Sequence, residues 1–288
     1  MPEIKPTGAN PLSKFYRQPK IYLTLPSKGQ YYPEGALVMP DGGELPVYAM
    51  TAKDELTLKT PDALLNGAAT VELIQSCIPN IKNAWAMPIL DLDACLVAIR
   101  IATYGEAMDI TATAPNTKSP QDYTIDLRNI LDRYANATYV PEFMFENLKI
   151  EIKPLSYKEF SQVSIQTFEE QRIFSIVNNN DLEQDKKLEM FNKSFNKIRD
   201  ITFGMVSRSI VKITTPDGEE VTQPSFIDDF LNNSDKSLFK SLQAHIENQK
   251  KNFDVPPMEV TSTPEQIEEG APEKFEVPIT FDQSTFFA

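Results

Sequence analysis

The segment DLDACLVAIRIATYG at residues 91–105 constrains the fold more than any other stretch of this chain. Placed on a helix, it is apolar nearly all the way round, with Asp91 positioned to cap its start and Gly105 positioned to end it. A helix without a polar face has to be surrounded by other parts of the protein. We therefore expect a central, buried helix around which the N-terminal part of the chain packs.

Short strands and capped helices flank this segment on both sides. Thr51 with Asp54, and Ser156 with Glu159, have the spacing of capping boxes, in which each side chain bonds an otherwise unpaired backbone donor. The sequence TPDGEE at residues 215–220 is typical of a hairpin turn between two strands. These patterns predict an α+β fold with small antiparallel β-ribbons.

A short strand-like phrase occurs twice, as MDITATAP at residues 108–115 and as MEVTSTP at residues 258–264. A second pair, VYAMTAKDE at residues 47–55 and IKPLSYKEF at residues 152–160, recurs in the same order, each a strand followed by a capped helix. The interpretation we favour is an internal duplication that produced two related halves, each a helical block with β-ribbons. The alternative is chance, because strands followed by capped helices are common.

The turns that follow the repeated phrase bear on metal binding. A strand–turn–strand unit of this shape forms half of a zinc ribbon when its turn carries Cys-Pro-x-Cys, because two such turns supply the four thiolates of a tetrahedral site. The corresponding turns read APNT at residues 114–117 and TPEQ at residues 263–266, without a ligand at either cysteine position. We expect no metal there, and we infer that packing or a partner holds the ribbons.

Composition changes divide the chain into four expected parts. Residues 1–20 form an N-terminal arm, 21–147 an N-terminal α+β domain, 148–251 a mainly helical C-terminal domain with a hairpin, and 252–288 a tail. The tail has eight acidic residues, one lysine and five prolines. Such a composition predicts a mostly extended segment, and the sequence KFEVPITFD predicts a strand near its end.

The net charge of the chain limits which classes of molecule it can bind. The 288 residues carry a net charge of −13, which argues against non-specific binding to nucleic acid or anionic membranes, because both require a positive surface. It favours solubility and a basic protein partner. A local basic patch stays possible, since the first twenty residues hold Lys5, Lys14, Arg17 and Lys20 against Glu3 alone.

The two cysteines and the apolar runs bear on localisation. Cys77 and Cys95 each lie among apolar residues, so we expect buried free thiols, with a single disulfide as the alternative. The N-terminus lacks the apolar core of a signal peptide, and no apolar run is long enough to cross a membrane. We therefore expect synthesis in a reducing cytoplasm.

The sequence offers little catalytic chemistry. His245 is the only histidine, and neither a nucleophile elbow nor a phosphate-binding glycine loop is present. Asp91 and Asp93 are acidic neighbours, but adjacent acids are usually solvated or cap helices. We expect a protein that is not an enzyme and that needs no cofactor. The alternative of another class is a hydrolase using acidic residues, which sequence alone leaves open.

Aromatic side chains in irregular segments are the candidate binding residues, because aromatic rings provide large contact areas at protein interfaces. The alternative for the tryptophan is core packing, and the alternative for the terminal pair is a tail docked on its own domain. The candidate protein-interaction residues are Tyr31, Tyr32, Trp85, Phe281, Phe286 and Phe287.

Four stretches resemble one known family. They are LPSKGQYYPEG, LKTPDALLNGAATVELIQSCIP, LDLDACLVAIRIATYGEAMDI and the ending FDQSTFF. Together they resemble the baseplate hub proteins of T4-like contractile-tailed phages, well over residues 21–127 and more weakly at the last ten residues. The quoted stretches contain cap, turn and core residues rather than catalytic motifs.

The resemblance implies a hub subunit or hub assembly factor that binds other hub proteins, as a homo- or hetero-oligomer, without catalytic residues. It implies a place in the tail baseplate of the virion. The alternative is a transient assembly chaperone that is absent from the finished particle.

Overall fold

The structure is a computed structural model, and it describes residues 10–59, 67–118, 120–177, 184–279 and 286–287. Within these ranges the strands pair only in antiparallel fashion and form small separate sheets, and the helices lie in groups between them along the chain. The fold class is α+β, as the sequence predicts. The first nine residues of the expected N-terminal arm lie outside the described residues.

In the described residues, the N-terminal part contains two β-ribbons and four α-helices. Short 3-10 turns at Ala84–Ala86 and Ile89–Asp91 precede the third helix. In chain order the elements are β1 (Pro19–Leu23), β2 (Leu45–Tyr48), α1 (Ala52–Leu58), α2 (Ala68–Cys77), α3 (Leu92–Tyr104), β3 (Ala107–Thr113), β4 (Pro120–Asp126) and α4 (Leu127–Asn136). Strand β1 pairs with β2, and β3 pairs with β4.

Helix α3 is the centre of the first core, which comprises the buried apolar side chains of β1, β2 and α1–α4. Every side chain from Ala94 to Ile99 is at most 1% exposed, so the central buried helix is confirmed. Gly105 ends the helix with a backbone φ of +96°. The expected cap is wrong, because the Asp91 carboxylate makes no bond to the first turn of α3 and binds Ser27 instead.

Both predicted capping boxes are confirmed. Thr51 accepts from the backbone N–H of Asp54, and Asp54 accepts from the backbone N–H of Thr51 at 2.7 Å. At the start of α5 (Tyr157–Val177), Glu159 accepts from the backbone N–H of Ser156 at 2.8 Å, and Ser156 accepts from that of Glu159 at 3.3 Å. These caps set where each helical block begins.

A second block follows residue 140. It contains one antiparallel sheet of order β5-β6-β7-β8 and a hairpin of two long helices, α5 and α6, inserted between β6 and β7. Its elements besides α5 are β5 (Glu142–Phe145), β6 (Leu148–Ile152), α6 (Gln184–Ser209), β7 (Ile210–Thr214), β8 (Glu220–Val221), α7 (Pro224–Asn233) and α8 (Lys236–Phe253). Strands β5 and β6 form one antiparallel pair across the expected boundary between residues 147 and 148.

The second core lies between this sheet and helices α6–α8. Apolar side chains from both strands and helices meet there, and Phe203 of α6 stacks on Phe239 of α8 with ring centroids 5.8 Å apart. Its buried members are Ile150, Ile152, Val206, Ile210, Ile213, Ile227, Leu231, Leu238 and Leu242.

The two copies of the repeated phrase form ribbons that pack on each other. The first copy lies in β3, and the second lies in β9 (Met258–Thr261), which pairs with β10 (Lys274–Val277) after the short helix α9 (Pro264–Glu268). The buried side chains between the ribbons form the third core, Ala114, Ala271, Phe275 and Val277. The Tyr123 ring meets the Phe275 ring edge-on with centroids 6.2 Å apart.

This packing shows what holds the ribbons. Each two-stranded ribbon buries its apolar face on the other, whereas a lone two-stranded ribbon is marginal in water. Asn116 in the first turn donates to the carbonyl of Gly270 at 3.2 Å. Among the residues that the structure describes, no cluster of three or more His, Cys, Asp or Glu side chains could hold a metal ion.

Val277→Ala is expected to loosen this ribbon pair. Val277 is 3% exposed in the third core, and removing two buried methyl groups costs about 1–2 kcal/mol. Hydrogen exchange should therefore quicken in β3, β4, β9 and β10 before it quickens in α3. Val211→Ala is the matched control, because Val211 of β7 is 38% exposed. Equal protection of the ribbons in both variants would contradict the third core.

The described part of the tail packs on the N-terminal part. Val255, Met258 and Ile279 contact the first core, and Phe286 is buried in it at 3% exposure. The chain thus returns from the second core to the first. None of the described helices combines the length and apolar composition that crossing a membrane requires.

Candidate protein-binding groove

A groove of about 1000 Å³ lies where the N-terminal part meets the base of α5. One wall is formed by the turn at residues 31–33 and the segment at residues 83–88, and the other by residues 153–165. Three of the six predicted interaction residues line it, namely Tyr31, Tyr32 and Trp85. Junctions between structural units are common places for binding sites.

The tyrosine turn has an unusual backbone. Lys28 and Tyr31 adopt positive φ angles of +54° and +69°, and Gly29 between them has +78°. A positive φ at a bulky residue costs about 1–3 kcal/mol and persists only where the surroundings enforce it. The Tyr31 ring contacts the Tyr139 ring edge-on at 5.6 Å. The positive φ of Gly29 favours glycine there, because other residues rarely adopt it, whereas the Met39 methyl group 2.5 Å from a Cβ built at this position ends a flexible side chain that can move.

The Tyr32 side chain is held in place by the buried carboxylate of Asp91. Its hydroxyl donates to Asp91 Oδ2 at 3.0 Å, and Asp91 also accepts from the Ser27 backbone N–H at 2.7 Å and the Ser27 hydroxyl at 2.6 Å. Asp91 is completely buried. Burial raises the pKa of Asp91 to about 6, although the bonds from Ser27 and Tyr32 and the charge of Lys28 act in the opposite direction.

Trp85 joins the two walls. Its ring stacks on Tyr157 at the start of α5, with centroids 5.5 Å apart and planes inclined by 17°. Next to this stack the Tyr157 N–H donates to the Met87 carbonyl at 2.7 Å, and the Ile89 N–H donates to the Leu155 carbonyl at 2.8 Å. Trp85 is half-buried, so it serves both packing and the groove surface.

The charges that line the groove are net positive. Lys153 and Lys158 lie on its second wall together with one carboxylate, Glu159. Neither lysine forms an ion pair within the described part of the chain. Glu159 Oε2 accepts from the Ser156 N–H at 2.8 Å and the Ser156 hydroxyl at 2.7 Å, in the capping box of α5.

The C-terminal aromatic residues lie elsewhere. Phe281 falls outside the described residues. The Arg100 guanidinium lies over the Tyr104 ring at 4.7 Å and over the buried Phe286 ring at 5.8 Å. Half-buried Phe287 accepts through its carbonyl from the Tyr104 hydroxyl at 3.3 Å. The groove therefore collects the three N-terminal candidates, while Phe286 and Phe287 dock on the first core.

Sequence reasoning missed the second wall of the groove. Lys153 precedes the helix cap at Ser156, and Lys158 and Ile165 follow it, in a stretch where the sequence pattern indicates only the start of a helix. The pattern that VYAMTAKDE shares with IKPLSYKEF indicates a helix cap and carries no signal for the lysines beside it. No local signal places residues 153–165 opposite Trp85.

The histidine and the two cysteines, the other residues considered for catalysis or a disulfide, take part in packing. His245 Nε2 lies 3.2 Å from the Val140 carbonyl, and its ring contacts Phe143. Cys77 and Cys95 are buried free thiols, which confirms the expectation. Burial raises the pKa of Cys77 to about 12 and also raises the pKa of Cys95, so both thiols stay protonated near neutral pH.

Comparison with known families places this α+β chain among phage tail proteins. The family model described as T4 bacteriophage base plate protein matches residues 18–263, which include the groove, the second core and most of the first core. The chain belongs to this family of base plate proteins. The comparison found no match among curated proteins and none among solved structures.

Membership in the family carries several coarse properties with it. It indicates a structural or assembly role, interaction with other phage base plate proteins, and a location in the virion tail. The resemblance described from the sequence is confirmed at the level of this family.

Proposed function

We propose that this protein is a hub subunit or hub assembly protein of a contractile-tail base plate and that it binds other hub proteins through the groove. The observation that carries the proposal is the convergence of Tyr31, Tyr32 and Trp85, chosen from sequence as interface aromatics, on one surface. Aromatic anchors of this kind dominate the binding energy of protein interfaces.

Trp85→Ala is expected to weaken binding to the hub partner by about 30-fold, since an interface tryptophan contributes about 2 kcal/mol or more. The measurement is co-expression with hub proteins of the same phage, followed by titration of the purified partner. Tyr22→Ala is the matched control, because Tyr22 of β1 is 62% exposed and lies outside the groove.

A second groove variant is needed because Trp85 also stacks on Tyr157, so Trp85→Ala could lose binding through misfolding alone. Ile165→Glu alters the groove wall at a residue that is 38% exposed on α5, so the fold should tolerate it. Binding that survives both groove variants would rule out the groove as the binding surface.

The C-terminal segment forms the second part of the proposal. Strand β10 pairs with β9 on one side only within the described residues, and a free strand edge can accept a strand from a partner. We propose that Phe281, the half-buried Phe287 and this edge contact another hub protein, whereas Phe286, which the sequence also offered as an interaction residue, stays buried in the first core. A chain lacking residues 275–288 that keeps every complex would refute this part. The Val277→Ala chain is its control, because the deletion also opens the third core.

The assembly chaperone is the alternative within the same class. Both versions place the protein in the host cytoplasm while tails assemble, and they differ in whether it remains in the particle. Mass spectrometry of purified virions separates them, since stoichiometric amounts in the virion reject a purely transient role. The oligomeric state of the protein in the hub is measured in the same complexes.

The hydrolase alternative lacks a specific supporting observation. It requires two carboxyl groups that converge on an accessible cleft. Asp91, whose pKa is raised, is enclosed by Ser27 and Tyr32 with no exposed surface. Among the residues that the structure describes, Glu159 is the single carboxylate on the groove lining. We therefore propose no reaction for this protein.

A further inference from the structure

The chemistry of the groove indicates what kind of segment it binds. Its lining combines flat aromatic rings of Tyr31 and Trp85 with three prolines, Pro33, Pro88 and Pro154. The Tyr32 hydroxyl is committed to Asp91, so Tyr32 offers its ring rather than a polar group. A surface of rings favours a ligand that also presents compact apolar faces.

The backbone beside the groove prolines offers few free donors for strand addition. Proline has no N–H to donate, and four neighbouring donors are already used. The Ala86 and Met87 N–H groups bond within their own turn, the Ser156 N–H bonds Glu159, and the Tyr157 N–H bonds Met87. A segment bound there therefore leaves most of its own backbone solvated or satisfies it internally. A polyproline II segment does the former, and aromatic-lined grooves are its usual receptors.

The charges select for acidic side chains. Lys153 and Lys158 lie on the lining without ion-pair partners in the described residues, against the single carboxylate of Glu159. This positive site belongs to a chain whose net charge is −13. Complementary charge across an interface gives specificity and a faster encounter.

We propose that the groove binds an extended, acidic, proline-containing segment of another base plate protein. Its prolines pack on Trp85 and Tyr31, and its carboxylates pair with Lys153 and Lys158. This inference rests on the groove being the binding surface of the proposed function. Single-stranded nucleic acid also stacks on aromatic side chains in positive grooves. The net charge of the chain and the presence of only two lysines on the lining favour the peptide.

The test uses the full chain and a fluorescein-labelled peptide of four Glu-Pro-Pro repeats, followed by fluorescence anisotropy. Three comparison probes are four Lys-Pro-Pro repeats, a helical Glu-Ala peptide of equal charge, and single-stranded oligothymidine of equal length. The acidic proline peptide is expected to bind at least about tenfold more tightly than each of the others. Lys153→Glu with Lys158→Glu should weaken it by about tenfold or more and reverse the preference toward Lys-Pro-Pro.

The matched control changes the same charge elsewhere. Lys236→Glu with Lys240→Glu alters two exposed lysines of α8 and should leave peptide binding unchanged. Equal or tighter binding of the basic, helical or nucleic-acid probe overturns the proposal, and so does absence of binding by the acidic peptide. If no peptide binds while Trp85→Ala still loses the hub partner, this inference fails and the proposed function stands. If the acidic peptide binds with the expected pattern while Trp85→Ala and Ile165→Glu both keep the hub partner, the groove binds such peptides but the proposed function fails, and with it the assignment of the bound segment to another base plate protein.

Discussion

Asp91→Ala is expected to lower the free energy of unfolding by about 3–5 kcal/mol. The Asp91 carboxylate is fully buried and accepts from three donors, the Ser27 N–H, the Ser27 hydroxyl and the Tyr32 hydroxyl. Removing the acceptor leaves buried donors unpaired, and each unpaired group costs about 1–3 kcal/mol. Urea unfolding followed by circular dichroism measures the loss. A loss below about 1 kcal/mol would contradict this role for Asp91.

Asp91→Asn is the matched control, and it separates charge from hydrogen bonding. The amide keeps an acceptor for the Ser27 N–H and should retain most of the stability. Because the native pKa of Asp91 is raised to about 6 from 3.8, the native state binds the proton more tightly than the unfolded state. The contribution of Asp91 to the free energy of unfolding therefore falls by about 3 kcal/mol as pH rises from about 4 to about 6. The Asn variant should lack this fall.

The same carboxylate illustrates what sequence can and cannot show. The apolar run of α3 identified the central helix correctly, because a helix without a polar face has only one stable environment. The capping role predicted for Asp91 was wrong. An aspartate at a helix start usually caps that helix, but the partner of Asp91 is Ser27, which lies 64 positions away in the sequence. Local spacing carries no information about a contact of that separation.

The repeated phrase shows a similar division. Alternation and turn residues correctly predicted ribbons at β3–β4 and β9–β10. Because the turns lack metal-binding cysteines, the sequence also indicated that something other than zinc holds the ribbons. That Phe275 packs against Tyr123 from the other ribbon depends on how the chain returns from the second core to the first. The internal duplication stays a hypothesis, since packing of two ribbons on each other does not require common descent.

The groove was half predictable for the same reason. Aromatic residues in irregular segments are recognisable one segment at a time, so Tyr31, Tyr32 and Trp85 could be chosen before their positions were known. The lysines on the opposite wall can be recognised as groove residues only when residues 153–165 are known to lie across from Trp85. Exposed lysines at a helix start are otherwise ordinary, and nothing in their spacing marks them.

A second large effect is expected at Arg17, which ties the N-terminal segment to α1 and α2. Its Nη2 donates to the Ser76 carbonyl at 2.6 Å and the Ser76 hydroxyl at 2.9 Å, and Nη1 donates to the Ala49 carbonyl. Nη1 also lies 3.5 Å from Asp54 Oδ2, on a side chain that is only 9% exposed. The planar guanidinium suits this set of acceptors in a way that an ammonium group does not.

Arg17→Met is therefore expected to cost about 2–4 kcal/mol in the free energy of unfolding, because it removes the cation beside a nearly buried carboxylate and leaves two carbonyls without this donor. Urea unfolding of Arg17→Met, Asp54→Asn and the double variant measures the coupling. The double variant should lose clearly less than the sum of the single losses, since the neutral amide no longer needs a cation. Lys14→Met is the control, because Lys14 is an exposed base in the same segment. A loss no larger than that of Lys14→Met would show that Arg17 does not anchor the segment.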